Sequence, residues 1–167
     1  TFLGGKATAI FPIGGATGEH LAALLADEQV PIETVETRDW TRQNLHVHVA
    51  ASGEQYRFVM PGAALTDDEF RRLEEKVLTI DPGSLLVISG SLPPGISVEN
   101  LMQLVKNAQQ QGLRCIIDSS GDALAAALDV GNIELVKPNQ KELSALVQRD
   151  LSQPDDVRLA AQSLIQS

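Results

Sequence analysis

A single cysteine, Cys115, stands among the 167 residues. No disulfide can therefore close within the chain, and no four-thiolate zinc site can form from it. One lone thiol fits a reducing compartment, so the expectation is a cytoplasmic protein. Cys115 lies in Arg114-Cys115-Ile116-Ile117-Asp118, which reads as a buried strand, so packing and not nucleophilic attack is its expected role. Basic residues are scarce as well. Thirteen Lys and Arg face 22 Asp and Glu, a formal net charge of −9, and that field excludes a general binder of nucleic acid or of anionic membrane surfaces. No apolar run approaches the ~18 residues a membrane span needs, and no basic segment leads into an apolar one at the start. Aromatics are only 4% of the chain, yet hydrophobic residues reach 43% and charged residues 21%, a globular composition that excludes wholesale disorder. Position 1 is not methionine, and Ser163-Leu164-Ile165-Gln166-Ser167 continues a helical pattern without a stop signal. Residues 1–167 are accordingly expected to form a single but partial domain.

What is present is an alternation of short apolar runs with 3.6-residue stripes. Ala7 to Phe11 reads as a strand, Pro12-Ile13-Gly14-Gly15-Ala16-Thr17-Gly18 as a turn, and Leu21, Leu24 and Leu25 as a helix running to about Glu28. Leu45 to Ala50 and Gln55 to Met60 alternate with period two about Ser52-Gly53, the pattern of a β-hairpin inserted between α/β units. Thr66-Asp67-Asp68-Glu69 matches a capping box ahead of a helix through Phe70, Leu73 and Val77. Leu85-Leu86-Val87-Ile88-Ser89 is an unbroken apolar run, expected of a strand covered on both faces, and it empties into Gly90-Ser91-Leu92-Pro93-Pro94-Gly95. A helix through Val98, Leu101, Leu104, Val105 and Ala108 closes at Gly112. A strand from Arg114 to Asp118, a helix from about Asp122 to Leu128, a strand from Glu134 to Lys137, a helix after Asn139 and a last helix entered at Pro154 complete the pattern. Strands joined by helices imply an α/β fold with a mostly parallel sheet and a functional edge at the strands' carboxyl ends.

Three loops at that edge could carry chemistry. In Lys137-Pro138-Asn139-Gln140-Lys141-Glu142, a cation meets a helix N-terminus that already favours phosphate, and Glu142 could hold Mg²⁺ directly or through water. The structural alternative, an Asn N-cap with an acidic first turn, is common. In Ser89-Gly90-Ser91-Leu92-Pro93-Pro94-Gly95, glycines permit close backbone approach and Ser91 offers a hydroxyl, although Pro-Pro-Gly can simply be a rigid turn. In Thr41-Arg42-Gln43-Asn44, Arg42 presents a planar fork suited to phosphate and Asn44 an amide suited to hydroxyls, against the alternative of a solvated turn.

Ile13-Gly14-Gly15-Ala16-Thr17-Gly18, Thr41-Arg42-Gln43-Asn44, Ile88-Ser89-Gly90-Ser91-Leu92-Pro93-Pro94-Gly95, Asp118-Ser119-Ser120-Gly121 and Lys137-Pro138-Asn139-Gln140-Lys141-Glu142-Leu143 follow one another in this chain as they do in the ribokinase-like (PfkB) carbohydrate kinases, which the chain resembles over essentially its whole length. The resemblance implies a ribokinase-like, Rossmann-like parallel sheet flanked by helices, with the hairpin of about residues 45–60 serving as a β-sheet lid that can pair two copies. It implies transfer of the ATP γ-phosphate to the 1-hydroxyl of fructose 6-phosphate, with Mg²⁺. The alternatives are 1-phosphofructokinase or tagatose-6-phosphate kinase chemistry, or an inactive module that only self-associates. Arg42, Gln43, Asn44 and Ser91 would bind the sugar phosphate, with Arg42 on its phosphate group. Lys137, Pro138 and Asn139 would bind the nucleotide, and Glu142 would organise the metal. The family's Gly-Ala-Gly-Asp signature, which carries the catalytic base, would fall beyond Ser167, so no catalytic residue is expected within the chain. A missing general base costs about 10²–10⁴ in rate, so the chain alone is expected to be nearly inactive.

Other patterns are decoys. Ser119-Ser120-Gly121-Asp122 lacks the signature's first glycine, and Asp122 reads as a helix start. Gly5-Lys6-Ala7-Thr8 resembles a Walker A tail but leads into a strand where a helix is required. His46 and His48 share one face of the hairpin without a third ligand nearby in sequence, and His20 beside Glu19 reads as solvated. Trp40 is expected to pack at the base of the lid.

Overall fold

A computed structural model describes residues 4–165. Thr1, Phe2 and Leu3, and Gln166 and Ser167 of the last helical pattern, lie outside the described residues. The backbone divides into two compact units: the residues up to Thr79 with Pro93–Ile96, and Ile80–Leu92 with the residues from Ser97 onward.

In the first unit, β1 (Ala9–Ile13), α1 (Gly15–Asp27) and β2 (Ile32–Glu36) form a parallel β-α-β turn, paired from Ala9↔Ile32 to Ile13↔Glu36. The strand expected at Ala7 to Phe11 begins two residues later and runs through Pro12. Ala9 donates its N–H to the Pro31 carbonyl and Ile13 accepts from Thr37 N, so the odd residues of β1 address β2, and the N–H that Pro12 lacks points the other way. β2 had no counterpart among the expected elements. Its sequence Ile-Glu-Thr-Val-Glu has three β-branched residues in five, and Val35 is buried. Both α1 and α2 (Asp67–Val77) lie against β1 and β2. The expected capping box at the start of α2 is present: Thr66 Oγ1 accepts from Glu69 N at 3.3 Å, and Thr66 N donates to Glu69 Oε2 at 2.7 Å.

The inserted hairpin consists of β3 (Leu45–His48) and β4 (Gln55–Phe58), two residues shorter on each side than expected. Gly53, at φ +73°, closes its turn by donating to the Val49 carbonyl. Leu45 pairs with Phe58 and Val47 with Tyr56 on one face, while His46 pairs with Arg57 and His48 with Gln55 on the other. All eight residues are exposed.

The second unit is a parallel three-stranded sheet in the order β5 (Leu85–Ser89), β6 (Arg114–Asp118), β7 (Leu135–Val136). It is accompanied by α3 (Val98–Gln110), α4 (Gly121–Val130), α5 (Gln140–Val147) and α6 (Pro154–Ile165). α3 and α4 pack on each other and on β6, burying Leu101, Leu104, Val105, Ala108, Leu124 and Ala127 with Cys115 and Ile117. Burial pushes the Cys115 thiol up, as befits a packing residue and not a nucleophile. Leu143, Leu151 and Ala160 form a second cluster where α5 meets α6, with Val147, Val157 and Leu164 around it.

Among the described residues, cover is present on one face of β5. Leu86 is 8% exposed, but Leu85 and Val87 are 52% and 57% exposed. Val87 continues through Ile116 into half-exposed Leu135 as one open apolar row. An apolar run signals strand hydrophobicity but cannot say which face a helix covers. β7 spans only Leu135–Val136 of the expected Glu134 to Lys137, although the N–H groups of Glu134 and Lys137 still donate to the Cys115 and Ile117 carbonyls of β6.

The two faces of β5 should respond unequally to truncation. Leu86→Ala, which leaves a cavity under the helices, is expected to cost about 2–5 kcal/mol. For residues 1–167 alone, Leu85→Ala, one residue away on the exposed face, should cost less than half as much, measured as the shift in urea midpoint at unchanged slope.

Candidate functional site

The loop that delivers Arg42 is tied down along its length. Thr37 donates through its N–H and hydroxyl to the Ile13 carbonyl at 2.8 and 3.0 Å. Arg38 N donates to Glu69 Oε1 at 2.8 Å. Thr41 then clasps the start of α1 from both sides: its N–H donates to Gly14 O at 2.9 Å, its hydroxyl accepts from Gly14 N at 3.0 Å, and its carbonyl accepts from Thr17 Oγ1 at 2.6 Å. The clasp needs glycine opposite it. A Cβ at Gly14 would collide with the Asp39 carbonyl, and at Gly15, which adopts φ +61°, it would enter the Trp40 ring. Trp40 therefore lies against Gly15 at the head of α1, although 64% of it stays exposed.

Arg42 emerges from this clasp exposed, and it makes no ion pair with any carboxylate among the described residues. A Cβ on Gly62 would sit 3.7 Å from Arg42 Nη1 and 3.4 Å from Pro94 Cδ, so the guanidinium and the Pro93-Pro94-Gly95 turn border the same residue. That turn is held by Leu65, whose N–H donates to Pro94 O at 2.9 Å and whose carbonyl is pressed against Gly95, at φ +92°. Gln43 is exposed. Asn44 Oδ1 accepts from Met60 N at 3.2 Å and ties the base of the hairpin, which leaves the amide NH₂ for a ligand.

In the second unit the carboxyl ends of the three strands are linked side by side. Lys137 Nζ lies 3.0 Å from Asp118 Oδ1, and Ser89 Oγ is 3.5 Å from Asp118 Oδ2. Gly90 N donates to Asp118 O at 2.9 Å, and Ser119 Oγ to Gly90 O at 2.9 Å. Ser91 follows as an exposed residue just after Gly90, whose φ is +103°. Asp118 was absent from the expected site residues, because its place beside Lys137 depends on strand order and register, which periodicity does not reveal.

Pro138 leads from β7 into α5, where Asn139 and Glu142 form a reciprocal capping box. Asn139 N donates to Glu142 Oε2 at 2.8 Å, and Glu142 N donates to Asn139 Oδ1 at 3.0 Å. The structural alternative for this motif is thus realised, but it occupies only Oε2 of Glu142. Among the described residues no three His, Cys, Asp or Glu side chains converge as a metal cluster. A hard divalent cation at Glu142 would draw its remaining oxygen ligands from phosphate and water, a donor set that suits Mg²⁺.

In chemical terms, the first unit offers an unpaired guanidinium and an amide suited to a phosphorylated polyol. The second offers a helix N-terminus, an ammonium, a hydroxyl and a carboxylate suited to a polyphosphate with its metal.

Over 165 residues the chain is 74% identical to the ATP-dependent 6-phosphofructokinase isozyme 2 of Escherichia coli (strain K12), covering 99% of this chain and 53% of that protein. The crystal structure of phosphofructokinase-2 from Escherichia coli in complex with substrates and products matches with a TM-score of 0.95 at 74% identity, over 98% of this chain and 53% of that one. The tetrameric inhibited form of the same enzyme matches with a TM-score of 0.93, over 98% and 54%. The chain spans about half the length of the curated relatives it matches. The expected ribokinase-like α/β architecture is borne out by these matches. Because the model of the pfkB family carbohydrate kinases also matches residues 2–167, the chain belongs to that family.

Proposed function

We propose that the chain is part of one ribokinase-like domain of an ATP-dependent 6-phosphofructokinase, which transfers the γ-phosphate of ATP to the 1-hydroxyl of fructose 6-phosphate. The observation that carries this reading is Arg42: in a protein of net charge −9 it is an exposed guanidinium with no ion-pair partner among the described residues, held beside the Pro-Pro-Gly turn.

In this reading Arg42 grips the 6-phosphate bidentately. Gln43, the free amide edge of Asn44 and the Ser91 hydroxyl bind the phosphate ester and ring oxygens. Lys137 leaves Asp118 for the ATP phosphates as they arrive. Pro138 stiffens the approach to Asn139, and the first free N–H groups of α5 face the polyphosphate. Glu142 would hold Mg²⁺ through water, and the metal would supply charge neutralisation for the transferred phosphate. The sugar oxygen attacks the γ-phosphorus in line while a general base takes its proton. That base is not among these positioning groups. The hairpin of residues 45–60 acts as the lid that keeps water from the phosphoryl group. No helix among the described residues is long and apolar enough to cross a membrane, and with a single buried thiol this fits a cytoplasmic enzyme.

A second reading concerns association. Leu45, Val47, Tyr56 and Phe58 form an exposed apolar face on a two-stranded hairpin, which favours pairing of two copies through the lid.

In the full-length enzyme, Arg42→Ala is expected to raise KM for fructose 6-phosphate about 10–100-fold, the loss of a charge-assisted contact, with KM for ATP changed less than about two-fold. Lys137→Ala should show the reverse pattern. Steady-state kinetics with each substrate varied in turn checks both. A uniform loss across the two substrates, or preference for fructose 1-phosphate or tagatose 6-phosphate in a substrate panel, would overturn the assignment.

Phe58→Asp, which puts a charge on the apolar face, is expected to convert a sedimenting dimer into a monomer. An unchanged sedimentation coefficient would remove the lid from the interface.

A further inference from the structure

Two capping boxes occur in this protein, and they are not alike. At α5, Glu142 spends one oxygen on the Asn139 N–H and is only half-buried. At α2, Glu69 is 6% exposed, and both of its oxygens are engaged. Oε2 accepts from Thr66 N at 2.7 Å and from Thr66 Oγ1 at 2.9 Å. Oε1 accepts from Arg38 N at 2.8 Å, across 31 residues of sequence. Capping a helix requires neither the burial nor this third bond, since the reciprocal pair alone satisfies the helix end. Burying a carboxylate is costly unless it is fully hydrogen-bonded, so the extra bond to Arg38 calls for a role outside α2.

The two segments that Glu69 joins point to that role. Arg38 starts the stretch that ends, four residues on, at Arg42, and the Thr41 clasp fixes its far end. Thr66 follows Leu65, which holds the Pro94 carbonyl and bears against Gly95. Gly62, upstream on the same segment, borders both the Arg42 guanidinium and Pro94. One carboxylate thereby ties the strand exit that carries Arg42 to the segment against which Arg42 rests.

We infer that Glu69 is a positioning residue for sugar-phosphate binding, which sets Arg42 by holding the backbone of Arg38 and Thr66 at a fixed separation. This rests on the reading of Arg42 as the phosphate ligand. Glu69 does not itself touch substrate. Its removal frees the Arg38 end of the loop, so Arg42 samples positions from which the phosphate is held less well, and the loss falls on sugar binding and not on the phosphoryl-transfer step.

The test compares three variants of the full-length enzyme by steady-state kinetics and thermal denaturation. Thr66→Ala removes the N-cap side chain but leaves the Glu69 bonds to Arg38 N and Thr66 N. It is expected to lower Tm with KM for fructose 6-phosphate within two-fold of wild type. Glu69→Ala should lower Tm and in addition raise that KM about 5–10-fold, with kcat and KM for ATP within two-fold. Glu69→Gln, which keeps the volume and one acceptor oxygen, should move KM in the same direction by about 2–3-fold, and it decides the question if Glu69→Ala does not fold. In an Arg42→Ala background, Glu69→Ala should add nothing to the KM already lost. Raised KM in Arg42→Ala with wild-type KM in both Glu69 variants overturns the positioning role and leaves the Arg42 reading intact. Wild-type KM in Arg42→Ala overturns that reading and this inference with it.

Discussion

The carboxyl end of β1 and the amino end of α1 meet at Ile13-Gly14, and their backbone groups need partners where no further strand or helix residue supplies them. Thr37 and Thr41 are those partners. Between them they satisfy the Ile13 carbonyl, both polar groups of Gly14 and the Thr17 hydroxyl. No side chain caps α1 from within, so the clasp stands in for an N-cap. The same bonds that close the helix end also fix the chain that leaves β2, and Arg42 is the next residue. Its aim is therefore a by-product of satisfying the backbone at a helix start. Gly14 and Gly15 are the steric condition for this arrangement, because any side chain there would displace Asp39 or Trp40. The glycine-rich helix start serves here as a seat for another loop.

Electrostatics divides the cations of this acidic protein into two kinds. Arg71 pairs with Asp68 and Glu75, Arg114 with Glu134, and Lys76 with Glu33. These exposed pairs contribute little to stability, but they take those cations out of competition for an anion. Their partners hold the Arg71 and Arg114 guanidinium groups above their ordinary pKa and the Asp68 and Glu134 carboxyls below theirs. Arg42 stands outside this pattern, as do Lys6, Arg57, Lys106, Lys141 and Arg149 among the described residues; what sets Arg42 apart is its place beside Gly62 and Pro94. Lys137 is intermediate: it is exposed, yet its ammonium lies 3.0 Å from Asp118 Oδ1. In a chain of net charge −9, such local exceptions decide where an anionic ligand can settle.

The helices and most strands were legible because their periodicity is local: the stripe of α3 and the capping boxes at Thr66 and Asn139 are written in consecutive residues. The Lys-Pro-Asn-x-x-Glu and Pro-Pro-Gly loops were legible for the same reason. What escaped depends on contacts distant in sequence. β2 is five residues long, and its strand character is settled by pairing with β1. The exposure of Leu85 and Val87 is set by the tertiary surroundings of β5, which a local apolar run does not report. Asp118 meets Lys137 only once β6 and β7 are known to be neighbours. Trp40 was expected at the lid's base; its ring lies against Gly15, where the missing Cβ leaves room for the indole. Glu69 was seen as a capping residue, and its second oxygen, bonded to Arg38, had no signature in the local pattern.

The hairpin poses a different physical question, because a two-stranded ribbon with all eight strand residues exposed has little to hold it in water. Besides the β3–β4 ladder, its internal supports include Asn44 with Met60 at the base, Val49 with Gly53 and Glu54 at the turn, and the Tyr56 and Ser52 hydroxyls donating to Glu54 Oε2. The apolar side chains on one face, Leu45, Val47, Tyr56 and Phe58, contribute little to stability while they remain solvated. An element in this condition sits at the low-stability end of the molecule, where moving parts are drawn from. In the proposed kinase, closure over sugar and pairing with a second copy would stabilise the same ribbon through opposite faces, the polar one with His46 and Arg57 and the apolar one with Val47 and Phe58. Ordering by either event would lower the entropic cost of the other, so sugar binding and association through the lid should reinforce each other.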